Sequence, residues 1–379
     1  MKVLMQCRID AFTKRGGDTI QMEKPIPFLK EKGVEVTIST QCDVDLTDYD
    51  LVHLTGITRV HETYAQMKNA ERFNKPIVLT PMYNSKEDYE FFIKHGNDSL
   101  AAKFFRIFPS YNLYQQIRTA HFCMINRDFQ NTLKQFVVGY RNQQIYVLKN
   151  CTMLIPNSSM ELSAISKELG CTGKANMIVP TGVEIEKDLL DVSPNYFFNK
   201  YGLKDFVLVM GRIEPLKNQV KLMEALENSR IPVVFLGGFT KEHPQYCDRF
   251  RKLIEKNHNF HYLGFVERKM LFSAMKNARV IATPSWTEIV GMTALEGGLM
   301  GVNVVMTERG FGRSYFENDV WYCNPNNTIS IRNTIIDAYK SIRNNFNFRE
   351  RILQEFTWQK SSIALYDAYT KAFSDYSKN

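Results

Sequence analysis

The chain has 379 residues, of which 44% are hydrophobic and 23% are charged. This composition is too apolar for a disordered chain and too rich in charge for a multi-span membrane protein. The 48 lysines and arginines outnumber the 40 acidic residues, and the net charge of +8 favours anionic partners such as phosphates, nucleic acid or a lipid surface. At about 150 residues per domain, the length predicts two sizeable domains.

The cysteine pattern and the N-terminus indicate the compartment. Seven scattered cysteines include no Cys-x-x-Cys pair, so neither a disulfide framework nor a zinc ribbon is expected. The apolar run after Met1 stops within a few residues, and no stretch approaches eighteen consecutive apolar residues, so neither a signal peptide nor a membrane span is indicated. We expect a cytoplasmic protein in a reducing environment.

The first part of the chain alternates short apolar runs with helical patterns. Strands are predicted at 2–5, 34–39, 51–54 and 76–80, and helices at 19–32 and 63–73. Strands separated by helix-length segments predict βαβ units and a parallel sheet. From residue 99 to 150 the strand signals disappear, and a long helical stretch precedes a further strand at 151–155. We predict an α/β lobe with a helical insertion.

The same alternation returns in the second half. Strands are predicted at 206–210, 232–236, 260–263, 280–283 and 302–306, with helices at 219–227, 244–256, 268–276 and 292–300. This pattern predicts a doubly wound nucleotide-binding lobe. In the last helix, Leu365, Tyr369 and Phe373 at four-residue spacing form an apolar stripe that must pack against another element.

Two turns that follow strands of the second lobe carry charged side chains suited to ligand binding. Ligands of a parallel α/β sheet bind beyond the carboxyl ends of its strands. After the strand at 206–210, the segment Gly-Arg-Ile-Glu-Pro-Leu-Lys-Asn (211–218) places Arg212 and Lys217 where they suit a diphosphate. After the strand at 280–283, Glu288 precedes Gly291 and a helix that contains Glu296. Free amides at that helix start attract phosphate oxygens. The structural alternatives are a solvated loop for 211–218 and an ordinary polar helix position for Glu296.

These motifs, Gly-Arg-Ile-x-x-x-Lys-Asn followed by Pro-Ser-x-x-Glu-x7-Glu, resemble the donor-site signature of retaining glycosyltransferase family 4, whose members have the two-lobed GT-B fold. Gly16-Gly17 before the first helix, Pro180–Glu184 and Phe356–Trp358 are similar to further landmarks of the family. The resemblance implies two Rossmann-like lobes facing a central cleft. The acceptor-side lobe covers 1–184 with its insertion at about 99–150, the nucleotide-sugar-binding lobe covers 185–355, and a C-terminal helix over 356–379 returns to the first lobe.

The resemblance further implies transfer of a sugar from a nucleotide-diphosphate donor to a hydroxyl of a glycan or lipid-linked acceptor, with retention at the anomeric carbon, in surface polysaccharide or glycolipid biosynthesis. Arg212 and Lys217 would neutralise charge on the departing diphosphate. Glu288 would hold donor-sugar hydroxyls and Glu296 the ribose. Other donor contacts are implied for Gly16, Gly17, Gly264, Phe265, Val266, Ile289, Val290, Gly291 and Met292. No metal or other cofactor is expected.

One family feature is missing from the sequence. Many members place a histidine near the reacting sugar after the strand that corresponds to 76–80, whereas here the residues are Pro81-Met82-Tyr83-Asn84. Tyr83, His53 and His121 are the candidates to replace that contact with sugar or acceptor.

The insertion is the most basic part of the chain. Between residues 99 and 150, seven lysines and arginines face Asp128 alone, a net charge of 7 − 1 = +6, with ten phenylalanines and tyrosines interleaved. Basic helices with aromatic faces bind anionic membranes, although most of these aromatics are expected in the core. We expect the insertion to face a lipid-linked acceptor or the inner face of the membrane, so that the protein is peripheral there.

Two alternatives stay open. A nucleotide-sugar epimerase or a phosphorylase could use the same fold, although no cluster of carboxylates and histidines poised for proton abstraction is evident. A basic nucleic-acid-binding protein is favoured only by the net charge, and it would need stacking aromatics on strands or a recognition helix.

Overall fold

A computed structural model describes residues 1–126, 129–342 and 346–378, and the chain divides into two compact units. The first unit comprises Met1–Lys86, Asp98–Gly182 and Trp358–Asn379, and the second comprises Glu87–Asn97 and Val183–Thr357. The predicted lobe boundaries at 184/185 and 355/356 lie two residues from two of these divisions. The short segment 87–97 belongs to the second unit, which the sequence analysis did not anticipate.

Most strands are short apolar segments, as buried parallel strands generally are. The strands are β1 (Lys2–Gln6), β2 (Glu35–Ser39), β3 (Leu51–Thr55), β4 (Ile77–Thr80), β5 (Met153–Leu154), β6 (Phe206–Met210), β7 (Val233–Leu236), β8 (Phe260–Gly264), β9 (Ala278–Thr283), β10 (Asn303–Thr307) and β11 (Trp321–Cys323). The edge strand β2 instead carries Glu35, Thr37 and Ser39.

The helices of the first half are α1 (Gly17–Glu23), α2 (Ile26–Glu31), α3 (Val60–Arg72), α4 (Lys86–His95), α5 (Leu100–Ile107), α6 (Tyr111–Asn126), α7 (Phe129–Val138), α8 (Tyr140–Asn150) and α9 (Ser159–Leu169). Those of the second half are α10 (Lys187–Leu190), α11 (Asn195–Tyr201), α12 (Gln219–Leu226), α13 (Pro244–Lys256), α14 (Arg268–Asn277), α15 (Met292–Leu299), α16 (Arg313–Phe316), α17 (Thr328–Lys340), α18 (Phe346–Glu355) and α19 (Trp358–Ser377). Pro215–Lys217 form a 3₁₀ turn.

The first unit is built on a parallel sheet with the order β2-β1-β3-β4-β5. Two helices, α1 and α2, replace the single helix predicted over 19–32, because Pro25 and Pro27 are accommodated at a helix start but not inside a helix. Helices α5 to α8 form the predicted helical insertion. Helix α19 packs Leu365 and Tyr369 into the same core as Val3 and Met5 of β1, whereas Phe373, the third residue of the predicted stripe, is 41% exposed near the end of the helix.

The second unit is built on a six-stranded parallel sheet with the order β11-β10-β9-β6-β7-β8. Apolar residues cover both faces of its strands, because Val207 and Val209 lie in one core cluster while Phe206 and Leu208 lie in another. Five of these strands were predicted, and the sixth, β11, is an edge strand of only three residues, too short to give a strand pattern in the sequence. The prediction of two parallel-sheet α/β lobes is therefore confirmed. In the described parts of the chain, no helix combines the length and the apolar character that a membrane span requires.

Candidate active site

The candidate site of the second unit lies where its strand order reverses. Strands β6 and β9 are neighbours in the sheet but are separated in sequence by β7 and β8. In such sheets the loops beyond the carboxyl ends diverge at this point and leave a crevice for ligands. The two turns with charged side chains, 211–218 after β6 and 284–291 after β9, flank this crevice.

Lys217 and Glu288 meet there across 71 residues of sequence. The Lys217 Nζ lies 2.7 Å from Glu288 Oε1, and the same oxygen accepts a 2.6 Å hydrogen bond from Ser285 Oγ. Both groups are partly buried, with side chains 29% and 12% exposed. The structure therefore brings together two of the three residues predicted to be catalytic.

Arg212, the third predicted catalytic residue, lies on the same turn as Lys217. Its Nη2 lies 3.1 Å from Glu214 Oε1, and because its side chain is 48% exposed it stays accessible to a ligand at the strand end. Its backbone carbonyl accepts a 2.7 Å hydrogen bond from Gln219 Nε2, which fixes the path of the turn.

Asn218 is the residue whose role sequence reasoning missed. It adopts the left-handed conformation at the start of α12, and its Nδ2 donates to the carbonyls of Pro284 at 2.9 Å and Pro325 at 2.8 Å. One side chain thus ties together the turns after β6, β9 and β11. Its place beside Lys217 in the motif was visible in the sequence, but its partners lie 66 and 107 residues away.

Gly237, after β7, sets the spacing of the neighbouring turns. Its φ is +140°, and a Cβ at this position would lie 2.0 Å from the carbonyl oxygen of Gly211. The turn after β8 joins the same assembly, because the Gly237 amide donates to Gly264 O at 2.9 Å. Three strand-end turns are therefore in backbone contact.

The turn after β9 leads into helix α15, whose start has the geometry expected of an anion site. Gly291 is the N-cap in the left-handed conformation, and its carbonyl accepts the amides of Ala294 and Leu295 at 2.9 and 3.1 Å. The amides before them lie ahead of the first helical hydrogen bonds, where helices generally bind phosphates. Glu296 is half-buried within this helix.

In the predicted base-contacting turn, Gly264-Phe265-Val266, the last two residues line an open cavity of about 450 Å³. Tyr196, Tyr201 and Glu267 are among its other lining residues. The Phe265 ring is 83% exposed. An aromatic side chain presented in this way suits stacking against a planar group.

In the first unit, Gly16 and Gly17 lie at the start of α1, after the loop that follows β1. Arg8 fixes that loop through hydrogen bonds to Asp10 at 2.6 Å and Asp18 at 2.5 Å. The two glycines therefore lie at the end of the connection from β1 to α1, and their predicted donor contact stays a prediction.

His53 is buried in the first unit. Its ring nitrogens lie 2.8 Å from the Tyr369 and Thr80 hydroxyl oxygens, and burial lowers its pKa to about 3. The ring borders a cavity of about 30 Å³ that also touches Asn157 and Thr181. The imidazole is thus neutral at physiological pH.

Tyr83 and His121 lie in different surroundings. Tyr83 is buried, its hydroxyl donates to Glu168, and its amide donates to Glu161 Oε1 at 2.6 Å. Burial raises the pKa of Glu161 to about 7. His121 is exposed on α6. Among the described residues, no hydrogen bond or ring contact joins any two of His53, Tyr83 and His121, the three candidates for a sugar contact in the first unit.

Within 1–126, 129–342 and 346–378, no group of three or more His, Cys, Asp or Glu side chains is placed to hold a metal ion.

Comparison with known proteins shows that most of the second unit is similar to one family. The model of the family described as Glycosyl transferases group 1 matches residues 197–354, which include Arg212, Lys217, Glu288 and Glu296. No curated protein sequence matches the chain significantly.

Several solved structures share the fold over nearly the whole chain. A sucrose-phosphate synthase from Thermosynechococcus elongatus is 14% identical with a TM-score of 0.74, and the match covers 99% of this chain and 100% of that one. Anabaena HepE in complex with UDP-glucose is 14% identical with a TM-score of 0.67 over 98% and 100%. A glycosyltransferase from Rickettsia africae is 14% identical with a TM-score of 0.66 over 100% and 99%. The chain therefore has the GT-B glycosyltransferase fold, and its second unit is similar to Glycosyl transferases group 1.

Proposed function

We propose that the protein is a retaining glycosyltransferase of family 4 that takes a sugar from a nucleotide-diphosphate donor. The observation that carries this proposal is the Lys217–Glu288 pair at the strand-order reversal, between Arg212 and the start of α15. Cations and helix amides there match a diphosphate, and carboxylates match sugar hydroxyls.

In the proposed reaction, the acceptor oxygen bonds to the anomeric carbon as the bond to the diphosphate oxygen breaks. The acceptor proton passes to the departing diphosphate, and attack from the same face keeps the anomeric configuration. Lys217 and Arg212 stabilise the negative charge that grows on the diphosphate. Glu288 holds the donor sugar, Glu296 the ribose, and the amides of 289–292 the phosphates.

The donor class is supported by a neighbour of the same fold, since HepE is described in complex with UDP-glucose. We propose that Phe265 and the backbone of 264–266 contact the base, and that Gly16 and Gly17 approach the donor phosphates. The acceptor is proposed to be a glycan or a lipid-linked sugar of surface polysaccharide or glycolipid biosynthesis.

Nucleotide binding tests the proposal directly. With UDP, GDP, ADP and CMP compared in thermal denaturation, one nucleotide is expected to raise the melting temperature by about 5 °C or more at a hundredfold excess over its Kd. The matching nucleotide sugar then supports turnover, and proton NMR of the first product shows the retained configuration. The absence of any stabilisation, or an inverted product, would contradict the corresponding part of the proposal.

We further propose that the helical insertion contacts an anionic membrane surface, which places the protein at the inner face of the membrane. Helix α5 buries Ala102 and Phe105 but exposes an apolar stripe of Leu100, Phe104 and Ile107. On α7, Leu133, Phe136 and Val137 are also exposed. Exposed apolar stripes of this kind mark interaction sites.

The charges beside the stripes favour lipid. Lys103 and Arg106 flank the α5 stripe and Lys134 the α7 stripe, and all three are exposed. Basic residues next to a buried apolar face are typical of helices that lie in the interface of an anionic bilayer.

Vesicle flotation tests this contact. The protein is expected to float with phosphatidylcholine vesicles that contain phosphatidylglycerol and to float less without it. The double variant Phe104→Ser with Ile107→Ser should bind about tenfold or more weakly, because each side chain loses its transfer into the bilayer. Ile329→Ser, also exposed but on α17 of the second unit, is the control. Equal flotation of all three proteins would exclude the α5 stripe as the contact.

A further inference from the structure

Helix α4 comes from the first part of the chain but is part of the second unit. It contacts the rest of that unit next to Glu288, the residue proposed to hold the donor sugar. The contacts are of two kinds, polar ones through Asp88 and aromatic ones through Phe91 and Phe92, and they reach different sides of the Glu288 turn.

Asp88 makes the polar contacts. Its Oδ1 lies 2.9 Å from Arg309 Nη1, and its Oδ2 accepts the Gly310 amide at 3.0 Å. The Asp88 and Arg309 side chains are only 14% and 22% exposed. Burial raises the pKa of Asp88, and the neighbouring Arg309 opposes that shift. The Arg309 guanidinium also lies 3.7 Å from the centre of the Phe91 ring.

The residues that Asp88 holds are the backbone partners of Glu288. The Glu288 amide donates to Arg309 O at 3.3 Å, and the Phe311 amide donates to Glu288 O at 2.9 Å. The approach is close at Gly310, whose φ is +93°, because a Cβ there would lie 2.0 Å from Glu288 O. A shift of 309–311 would therefore move the Glu288 backbone.

The aromatic contacts hold the other side of the turn. The Phe91 and Phe92 rings lie 5.8 and 6.4 Å from the ring of Trp286, which is buried two residues before Glu288. Gly96 passes so close to this indole that a Cβ on it would lie 2.2 Å from Trp286 Cε2. The Trp286 amide in turn donates to Leu216 O at 2.9 Å, beside Lys217.

We propose that Asp88 is a positioning residue for the transfer reaction. Through Arg309 and Gly310 it fixes the backbone of Glu288, so that the Glu288 carboxylate stays in reach of Lys217 and of the donor sugar. This inference rests on the proposed function of the Glu288 site. Small misplacements of a reacting group have large effects on rate, about a hundredfold for 1 Å.

Kinetics of three variants test the proposal. Asp88→Ala is expected to lower kcat about ten- to a hundredfold with the nucleotide sugar, while the affinity for the nucleoside diphosphate alone stays within about twofold of wild type. Asp88→Asn keeps an oxygen that can accept the Gly310 amide and should give an intermediate rate. Glu87→Gln is the matched control, because Glu87 is 79% exposed and lies 3.9 Å from Arg309 Nη1. Wild-type rates in Asp88→Ala would overturn the proposal, and so would a parallel loss of nucleotide affinity and of folding.

Hydrogen exchange tests the positioning without any turnover. The amides of 288 and 309–311 are expected to exchange about tenfold or more faster in Asp88→Ala than in wild type, and at the wild-type rate in Glu87→Gln. Unchanged exchange in Asp88→Ala would overturn the inference even in an active enzyme. A wild-type protein without turnover on any nucleotide sugar, but with this exchange pattern, would instead contradict the proposed function alone.

Discussion

Replacement of Lys217 by alanine is expected to reduce turnover about a hundred- to a thousandfold and to leave the fold intact. Removal of one preorganised group that stabilises transition-state charge generally has an effect of this size. The fold should survive because the Lys217 side chain is partly exposed and Glu288 keeps its hydrogen bond from Ser285. Steady-state kinetics with the nucleotide sugar, together with circular dichroism, measure both expectations.

Glu288→Ala is expected to have an effect of the same order on kcat, because the donor sugar loses a hydroxyl acceptor at the reacting centre. Lys204→Ala is the matched control for the lysine variant, since Lys204 is an exposed lysine of the same unit, and it should turn over like wild type. Near-normal kcat in either Lys217→Ala or Glu288→Ala would show that the site is misassigned.

Gly237→Ala is expected to destabilise the second unit by about 2–5 kcal/mol. The added Cβ meets the Gly211 carbonyl, a backbone atom that can move only with the turn, and the φ of +140° is unfavourable for alanine. Because Gly211 precedes Arg212, turnover should fall as well. Chemical denaturation monitored by tryptophan fluorescence measures the loss.

Gly301→Ala shows the effect of a positive φ where no close contact exists. Gly301 also has a positive φ, +66°, but no atom lies within 4 Å of a Cβ built there. This variant should lose only about 1–2 kcal/mol, which is the cost of the left-handed conformation. Equal destabilisation by the two substitutions would mean that contact with Gly211 is unimportant.

Ten of the eleven described strands could be predicted from the sequence, because most are short apolar runs between helix-length segments, whereas the three-residue strand β11 was not predicted. Such local patterns report burial of parallel strands on both faces. The helix over 19–32 was predicted as one element, whereas the backbone divides at Pro25 into α1 and α2. The spacing of apolar residues in the sequence does not show where a proline ends one helix and begins the next.

The Lys217–Glu288 pair was predictable for a different reason. Each residue follows a strand directly, and strand ends of one parallel sheet share an edge. The carbonyl partners of Asn218 and the contact of Asp88 with Arg309 leave no local signal, since their partners lie between 66 and 221 residues away. Such long-range side-chain pairs appear only when the tertiary packing is known.

Helix α4 also determines which part of this protein can be separated from the rest. A fragment cut from 183 to 357 spans the whole family match yet omits the residues that cover Trp286 and neutralise Arg309. Such a fragment would expose a large indole and leave a partly buried cation without its carboxylate, both of which favour aggregation over folding. The second unit is therefore not one continuous stretch of sequence, and its exchange between proteins of the same fold has to transfer residues 87–97 with it.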